Sequence, residues 1–232
     1  MLEDTWNLVR LGLGALSRPA VQVLNTSQFE MTAAVALELA KDGHFKRLSQ
    51  AKFVVPADRN EARAFWMNLY NAQTLHAMQQ AQIKDTVLES LGFYARFAYL
   101  VNGLVFSLND IEHGVLRENR AGLGRMPFAK TDPRAAYTLP LEPRIHFALN
   151  CGALSCPPIR VYVGSQLEAQ LELATASYLQ DCRLENNVVW LPRLLSYYPH
   201  DFGQPLEFVR RYRSDLPATA RVKYLPYSWK KL

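Results

Sequence analysis

The segment His146-Phe-Ala-Leu-Asn150-Cys151-Gly-Ala-Leu-Ser-Cys156-Pro-Pro158 gathers an imidazole, an amide and two thiols. A thiol attacks a carbonyl only as the thiolate, and near neutral pH it needs an adjacent base or positive charge to ionise; imidazole is the usual partner. These residue types support thiol-dependent hydrolysis or acyl transfer on a peptide, amide or thioester. Cys151 would be the nucleophile, Cys156 its substitute, and His146 the general base and acid. Backbone N–H groups of the loop 151–155 are the expected oxyanion hole. Two other readings stand beside this one. Free cysteines are often small buried hydrophobes, and His146 fits a satisfied core histidine, which would make the cluster a structural part of a non-catalytic interaction domain. Alternatively Cys151, Cys156 and His146 are zinc ligands, or the cysteines are a redox pair. The zinc site would lack a fourth ligand in recognisable spacing, and the pair lacks the spacing of a thioredoxin-type motif.

Upstream, Asn68 and Asn71 lie at i and i+3 in the otherwise apolar run Ala62–Asn71, so they share one helix face. A buried amide without partners costs about 1–3 kcal/mol. Either Asn71 orients a catalytic imidazole, with Asn68 lining a polar pocket, or the two amides tie a neighbouring loop's backbone to the helix. Glu112-His113 has the composition of an acid–base pair, and Glu112 is the second candidate for the orienting group. A capping box from Asn109 gives Glu112 a structural role as well. His113 and Arg117 share a face and suggest an anion contact. With Asn68 and Asn150 they complete the candidate binding residues. Ser155 lacks the flanking glycines of a nucleophile elbow. Leu11-Gly-Leu-Gly14 lacks the third glycine of a phosphate-binding loop.

These groups need elements to position them. Capping boxes at Ser27…Glu30, Asp58…Glu61, Asn109…Glu112 and Ser165…Glu168 predict four helices, the first ending near Lys41, the second near Gln80 and the third near Asn119. In the fourth, Leu167, Leu171, Ala174 and Tyr178 share a face. Asn102-Gly103 between Phe97–Val101 and Leu104–Leu108 predicts a hairpin, and Asn186-Asn187 a weaker one between Cys182–Glu185 and Val188–Leu191. Arg144–Asn150 reads as a short buried strand, which would put His146, Ala148 and Asn150 on one face. The stretch 121–143 is the longest loop, a length typical of lids and binding elements. Short helices fill 193–213, and Arg221–Leu225 is a final strand. Helices and hairpins mix without a βαβ rhythm, so the fold class is α+β: central helices packed on a small, mainly antiparallel sheet.

Composition narrows the function classes. With 49% apolar and 20% charged residues among 232, the chain can bury a sizeable core and is not disordered. The net charge of +5 is concentrated late, at Arg210, Arg211, Arg213, Arg221, Lys223, Lys230 and Lys231. This reads as solvated faces, and nucleic acid is not an expected partner. Three cysteines are too few for a disulfide scaffold, so thiols are expected. The acidic start and the stretch Leu8–Leu16, broken by Arg10, Gly12 and Gly14, predict neither a signal peptide nor a membrane span. The expected location is cytoplasmic, with no cofactor.

Taken in order, several of these pieces resemble one family, the domain of unknown function 547. They are Ala64-Phe-Trp-Met-Asn-Leu-Tyr-Asn71, Ser107-Leu-Asn-Asp-Ile-Glu-His-Gly-Val-Leu-Arg117, Asp132-Pro-Arg134, the segment 146–158 and Tyr224-Leu-Pro-Tyr-Ser-Trp229. The resemblance covers about 60 to 229 and implies an α+β domain over 58–232, with 1–57 as a helical segment packed on it. Family members fused to glutaredoxin-like modules imply thiol or redox biology, and plant members imply scaffold or signalling roles. A central helix followed by a histidine-bearing strand is also similar to papain- and transglutaminase-like thiol enzymes. There, however, the nucleophile opens the helix, whereas here the cysteines follow the histidine. A peptide or protein substrate is the partner these resemblances imply.

Overall fold

Helix Arg59–Gln80 forms the axis of the molecule, and its boundaries follow from its sequence. The Asp58 carboxylate accepts from the N–H groups of Asn60 and Glu61 at 2.9 and 3.0 Å, satisfying two donors that the first turn leaves unpaired. Phe65, Trp66, Met67, Leu69, Tyr70 and Ala72 are all buried, so the helix is packed on nearly every side. The computed structural model describes residues 20–122 and 125–232. The Leu8–Leu16 stretch lies outside them, as do Leu123 and Gly124 of the long loop.

In chain order the described strands are β1 (Gln22–Val23), β2 (Phe29–Glu30), β3 (Ala51–Lys52), β4 (Phe97–Val101), β5 (Leu104–Ser107), β6 (Arg183–Glu185), β7 (Val188–Leu191) and β8 (Arg221–Tyr224). Among the longer helices, α1 is Ala33–Lys41, α2 the central Arg59–Gln80 and α3 Leu167–Leu179. The class is α+β, as the mixture of helices and hairpins indicates. The strands divide over small mixed sheets in the orders β1-β4-β5, β2-β3 and β6-β7-β8. Both hairpins form where the asparagines place them. Val101 pairs with Leu104 across Asn102 and Gly103, at φ 47° and 78°. Glu185 pairs with Val188 across Asn186 and Asn187, at φ 49° and 59°. Crossovers then add β1 beside β4, and β8 beside β7, in parallel.

Three local expectations are corrected. Ser27…Glu30 does not start a helix: Ser27 is left-handed at φ 56°, and Gln28 and Phe29 donate to the Gln50 carbonyl, so Phe29–Glu30 becomes strand β2 beside β3. Helix α1 begins after Thr32, whose hydroxyl accepts from the Val35 N–H at 3.2 Å. Ser165 does not cap α3, since Gln166 occupies the N-cap position and Glu168 turns to Arg144 at 2.6 Å. Arg144–Asn150 is not a strand. Pro143 enters at the first turn of a 3-10 helix, Pro143–Phe147, and the Glu142 carboxylate caps the Arg144 N–H at 3.1 Å, which favours the turn over extension. His146, Ala148 and Asn150 therefore do not share a strand face, and the histidine-bearing strand of the papain-like comparison is not present at this position.

The main core surrounds α2 and takes in Leu37, Leu48, Phe53, Phe106 and Ile145, so residues 20–57 contribute to it directly. A second core, with Phe147, Leu179, Val189, Leu195, Phe202 and Phe208, is built by α3, the β6–β8 sheet and the short helices Leu194–Tyr197, Pro199–Phe202 and Pro205–Arg210. The two candidate cysteines lie in a third, small cluster with Ala153, Tyr227 and Trp229. No helix among the described residues is long and apolar enough to cross a membrane.

Candidate functional site

The cysteine loop is hung from the central helix by amide clamps. The Asn71 side chain donates to the Ala148 carbonyl at 3.0 Å and accepts from the Asn150 N–H at 2.8 Å. Asn150 in turn closes the loop, donating to the Pro157 carbonyl at 2.8 Å and accepting from the Gly152 N–H at 2.7 Å. Asn68 clamps Tyr162 in the same way, at 2.7 and 2.9 Å. All three asparagines are buried with their bonds directed at backbone, so here the amides tie loops to the helix.

The clamped loop brings the two sulfurs together. Cys151 Sγ and Cys156 Sγ are 2.6 Å apart, the Cys151 N–H points at Cys156 Sγ at 3.2 Å, and the Tyr227 hydroxyl lies 3.0 Å from Cys156 Sγ and 3.5 Å from Cys151 Sγ. Hydrogen bonding from Cys156 lowers the Cys151 thiol below its ordinary range; burial opposes this, and Tyr227, the Ala153 N–H and Tyr94 assist it. Burial drives Cys156 the other way, well above its ordinary value, and hydrogen bonding and charge repulsion from Cys151 reinforce the shift. The pair is thus polarised: Cys156 keeps its proton and donates it toward a Cys151 sulfur that loses its own more readily.

Facing this loop is the π-helix Asp110–Leu116. Its start is closed by Ser107 and Asp110, whose carboxylate accepts from the Ser107 N–H at 3.0 Å and hydroxyl at 2.7 Å. Asn109 makes no side-chain cap. The expected capping role of Glu112 is therefore absent, and its carboxylate instead accepts from the hydroxyls of Tyr198 at 2.6 Å and Tyr70 at 2.9 Å. Burial alone would raise the Glu112 carboxyl; His113, the Tyr198 hydroxyl, His146 and Arg117 outweigh it and hold it below the usual range.

Behind Glu112 a charged network orients the imidazoles. Arg117 donates to His113 Nδ1 at 2.6 Å and to both carboxylate oxygens of Asp201, the Nη2 bond measuring 3.0 Å. Arg120 adds a third cationic contact to Asp201 at 3.0 Å. His146 Nε2 lies 2.8 Å from Asp201 Oδ2, and its ring stacks on Tyr198 with centroids 3.8 Å apart. A carboxylate only accepts, so Nε2 carries the proton and Nδ1 is left as the basic nitrogen. Burial lowers the His146 imidazole; Asp201 and Glu112 pull it back up only in part, and Arg117 adds to the lowering. Burial also lowers His113, to about 4, with Arg117 and Arg125 assisting and Glu112 opposing.

Cys151, Cys156, Glu112, His113, Arg117 and His146 line one cavity of about 960 Å³. The structure thus brings the sequence candidates together, apart from the three clamping asparagines. It does not pair His146 with a thiol by a hydrogen bond: His146 is held by Asp201, and Cys151 by Cys156 and Tyr227. Nor are the loop's amides free for an oxyanion. Cys151 and Gly152 donate within the loop, Ala153 to the Cys151 sulfur, Leu154 to Lys230, Ser155 to Ser228, and Cys156 back to Ala153. Among the described residues no group of three or more His, Cys, Asp or Glu side chains is placed to hold a metal ion, so the zinc reading does not find its ligand set.

Sequence reasoning missed Asp201, Tyr70, Tyr94, Tyr198 and Tyr227. Tyr70 and Tyr227 sit inside two of the runs quoted above. Asp201 carries no local signal, because only the fold brings it to a histidine 55 positions away.

Residues 55–179, over half of the chain, match the family described as "Protein of unknown function, DUF547". The chain belongs to this family. No curated protein and no solved structure matches it. The DUF547 match spans the central helix, the π-helix and the cysteine loop, while Tyr198 and Tyr227, which line the cavity, and Asp201, which holds His146, lie beyond it.

Proposed function

We propose that this DUF547 protein is a thiol-dependent hydrolase or acyl transferase, with Cys151 as nucleophile and a peptide, amide or thioester as substrate. The reading rests chiefly on a Cys151 sulfur stabilised as thiolate by Cys156 and Tyr227 while it lines a large cavity shared with His146. Its roles differ from those of a thiol–imidazole pair. The thiolate is supported from its own side of the cavity and does not need His146 to ionise. The sulfur adds to the carbonyl carbon, the leaving group departs with a proton from solvent, and a thioester remains on Cys151. The basic Nδ1 of His146, set by Asp201, then takes the proton of the water or acceptor nucleophile that attacks the thioester. Hydroxyl donors around the sulfur, Tyr227 first, replace backbone amides as stabilisers of the developing oxyanion.

The test has two parts. Iodoacetamide labelling of Cys151, followed by mass spectrometry across pH, should show a midpoint below the ~8.5 of free cysteine. An activated aryl ester should leave an acyl adduct on Cys151 that accumulates in His146→Gln. A Cys151 that labels slowly with an ordinary midpoint, and no acyl adduct at any pH, would sink the proposal. That outcome would leave the non-catalytic interaction domain, for which the fully engaged loop amides and asparagine clamps are the supporting observation.

A further inference from the structure

We infer that Cys151 and Cys156 also form a redox-active dithiol, which a peroxide converts into a disulfide within the loop and a dithiol reductant restores. This chemistry goes beyond acyl transfer and does not depend on it. It rests on placement. The two sulfurs are in contact at 2.6 Å, the asparagine clamps fix the loop ends that carry them, and Tyr227 contacts both. Their five-residue separation keeps the redox pair local, so bond formation needs no rearrangement of the cores. Access is also provided. Cys151 is half-buried on the 960 Å³ cavity, and the buried Cys156 lines both that cavity and a smaller one of about 390 Å³.

The steps balance. The Cys151 thiolate attacks one oxygen of hydrogen peroxide; an S–O bond forms, the O–O bond breaks, and hydroxide leaves, giving a sulfenic acid. The Cys156 sulfur then attacks the Cys151 sulfur as its own proton departs. The S–S bond forms, the S–O bond breaks, and water leaves. Peroxide is reduced by two electrons, and the two thiols are oxidised by two. The resolving thiol lies in contact with the sulfenic acid, so the pair should close before a second peroxide takes Cys151 to the irreversible sulfinic acid. The disulfide would remove the nucleophile reversibly. Cys182 supplies an internal control: it is packed in the second core, and burial pushes its thiol up to about 12.

The experiment treats the full chain with one equivalent of hydrogen peroxide, then alkylates it and maps it without reduction. The expected product is about 2 Da lighter, joins Cys151 to Cys156, and regains both thiols with dithiothreitol. Cys156→Ser should instead give a dimedone-trappable sulfenic acid and then a gain of about 32 Da on Cys151. Wild-type protein that goes directly to the sulfinic acid with Cys156 still alkylatable overturns the inference. A disulfide that involves Cys182 or links two chains does so too. Because mass and thiol count are read directly on wild-type protein, failure here is distinct from failure to form an acyl adduct.

Discussion

At the scale of single residues, the most consequential side chain is Asp201. Its carboxylate has no exposed surface, is held by Arg117 and Arg120, and accepts from His146. Replacing Asp201 by Asn keeps the shape but removes the charge opposite two guanidinium groups and turns one of the two oxygens that accept from them and from the imidazole into a donor. Breaking a buried pair in this way costs about 3–5 kcal/mol, which urea unfolding at pH 7 would register as a lower midpoint. His146 also loses a partner that raises it, so its imidazole should titrate lower still, as read by proton NMR of the ring. Asn71→Ala is a second test at this scale. It strands the Ala148 carbonyl and the Asn150 N–H in the interior, at about 1–3 kcal/mol for each group left unpaired. If Asn71 had instead served the imidazole, the variant would lose activity without losing stability. The types and spacing of Asn68 and Asn71 were enough to mark them as buried amides needing partners. They were not enough to say which partners, because the choice between imidazole and backbone lies in residues some 80 positions away.

At the scale of elements, local rules held where nothing nearby competed. Asp58 capped α2, and Asn102-Gly103 turned β4 into β5. They failed where a stronger local or tertiary partner intervened: β3 captured Phe29–Glu30, and Pro143 with Glu142 wound 143–147 into a 3-10 turn. The π-helix is the most informative case. Asp110, not Asn109, closes its start, which releases Glu112 to accept from the Tyr70 and Tyr198 hydroxyls. Its Gly114 is fitted against the Phe128 ring and Arg125, which itself lies over Phe128 with the guanidinium carbon 4.1 Å from the centroid. Gly114→Ala has no room for a methyl group, and overpacking of this kind costs about 1–3 kcal/mol. Gly152 is constrained twice, by φ +90° and by Val87 and Met78, which a Cβ would meet at 2.7 and 2.9 Å. Gly152→Ala should therefore shift the loop that seats both sulfurs and slow Cys151 labelling at fixed pH. Unchanged labelling would show that the loop's seat does not control the sulfur.

At the scale of the whole molecule, the buried imidazoles make stability depend on pH in a definite direction. His76 is lowered to about 4 by burial, His113 to about 4 by burial and neighbouring arginines, and His146 is lowered as well. In the unfolded chain each titrates near ~6.5. Between that value and 4 the unfolded state binds protons that the folded state refuses, so stability is full above about pH 6.5 and falls as pH decreases. The two sites lowered to about 4 give a limiting slope of roughly 3 kcal/mol per pH unit, to which His146 adds. Below ~3.9 the loss continues, because Asp201 is held well below the usual carboxylate range; burial opposes this, but His146 and Arg117 outweigh it, and its unfolded counterpart protonates first. Urea midpoints measured from pH 7.5 to 4 should therefore decline through the histidine window, before most carboxylates titrate. His76→Gln is the discriminating variant. His76 is remote from the cysteine loop, meets Tyr99 at 2.9 Å and stacks on Phe45, so its replacement removes one proton from the slope and leaves the cavity's titrations in place. An unchanged slope in His76→Gln would mean that His76 protonates as readily folded as unfolded, and a wild-type profile that is flat down to pH 4.5 would mean the same of all three imidazoles. A flat profile would therefore put His146 near its ordinary value of ~6.5, so the base step assigned to it would fade through mildly acidic pH instead of persisting below it.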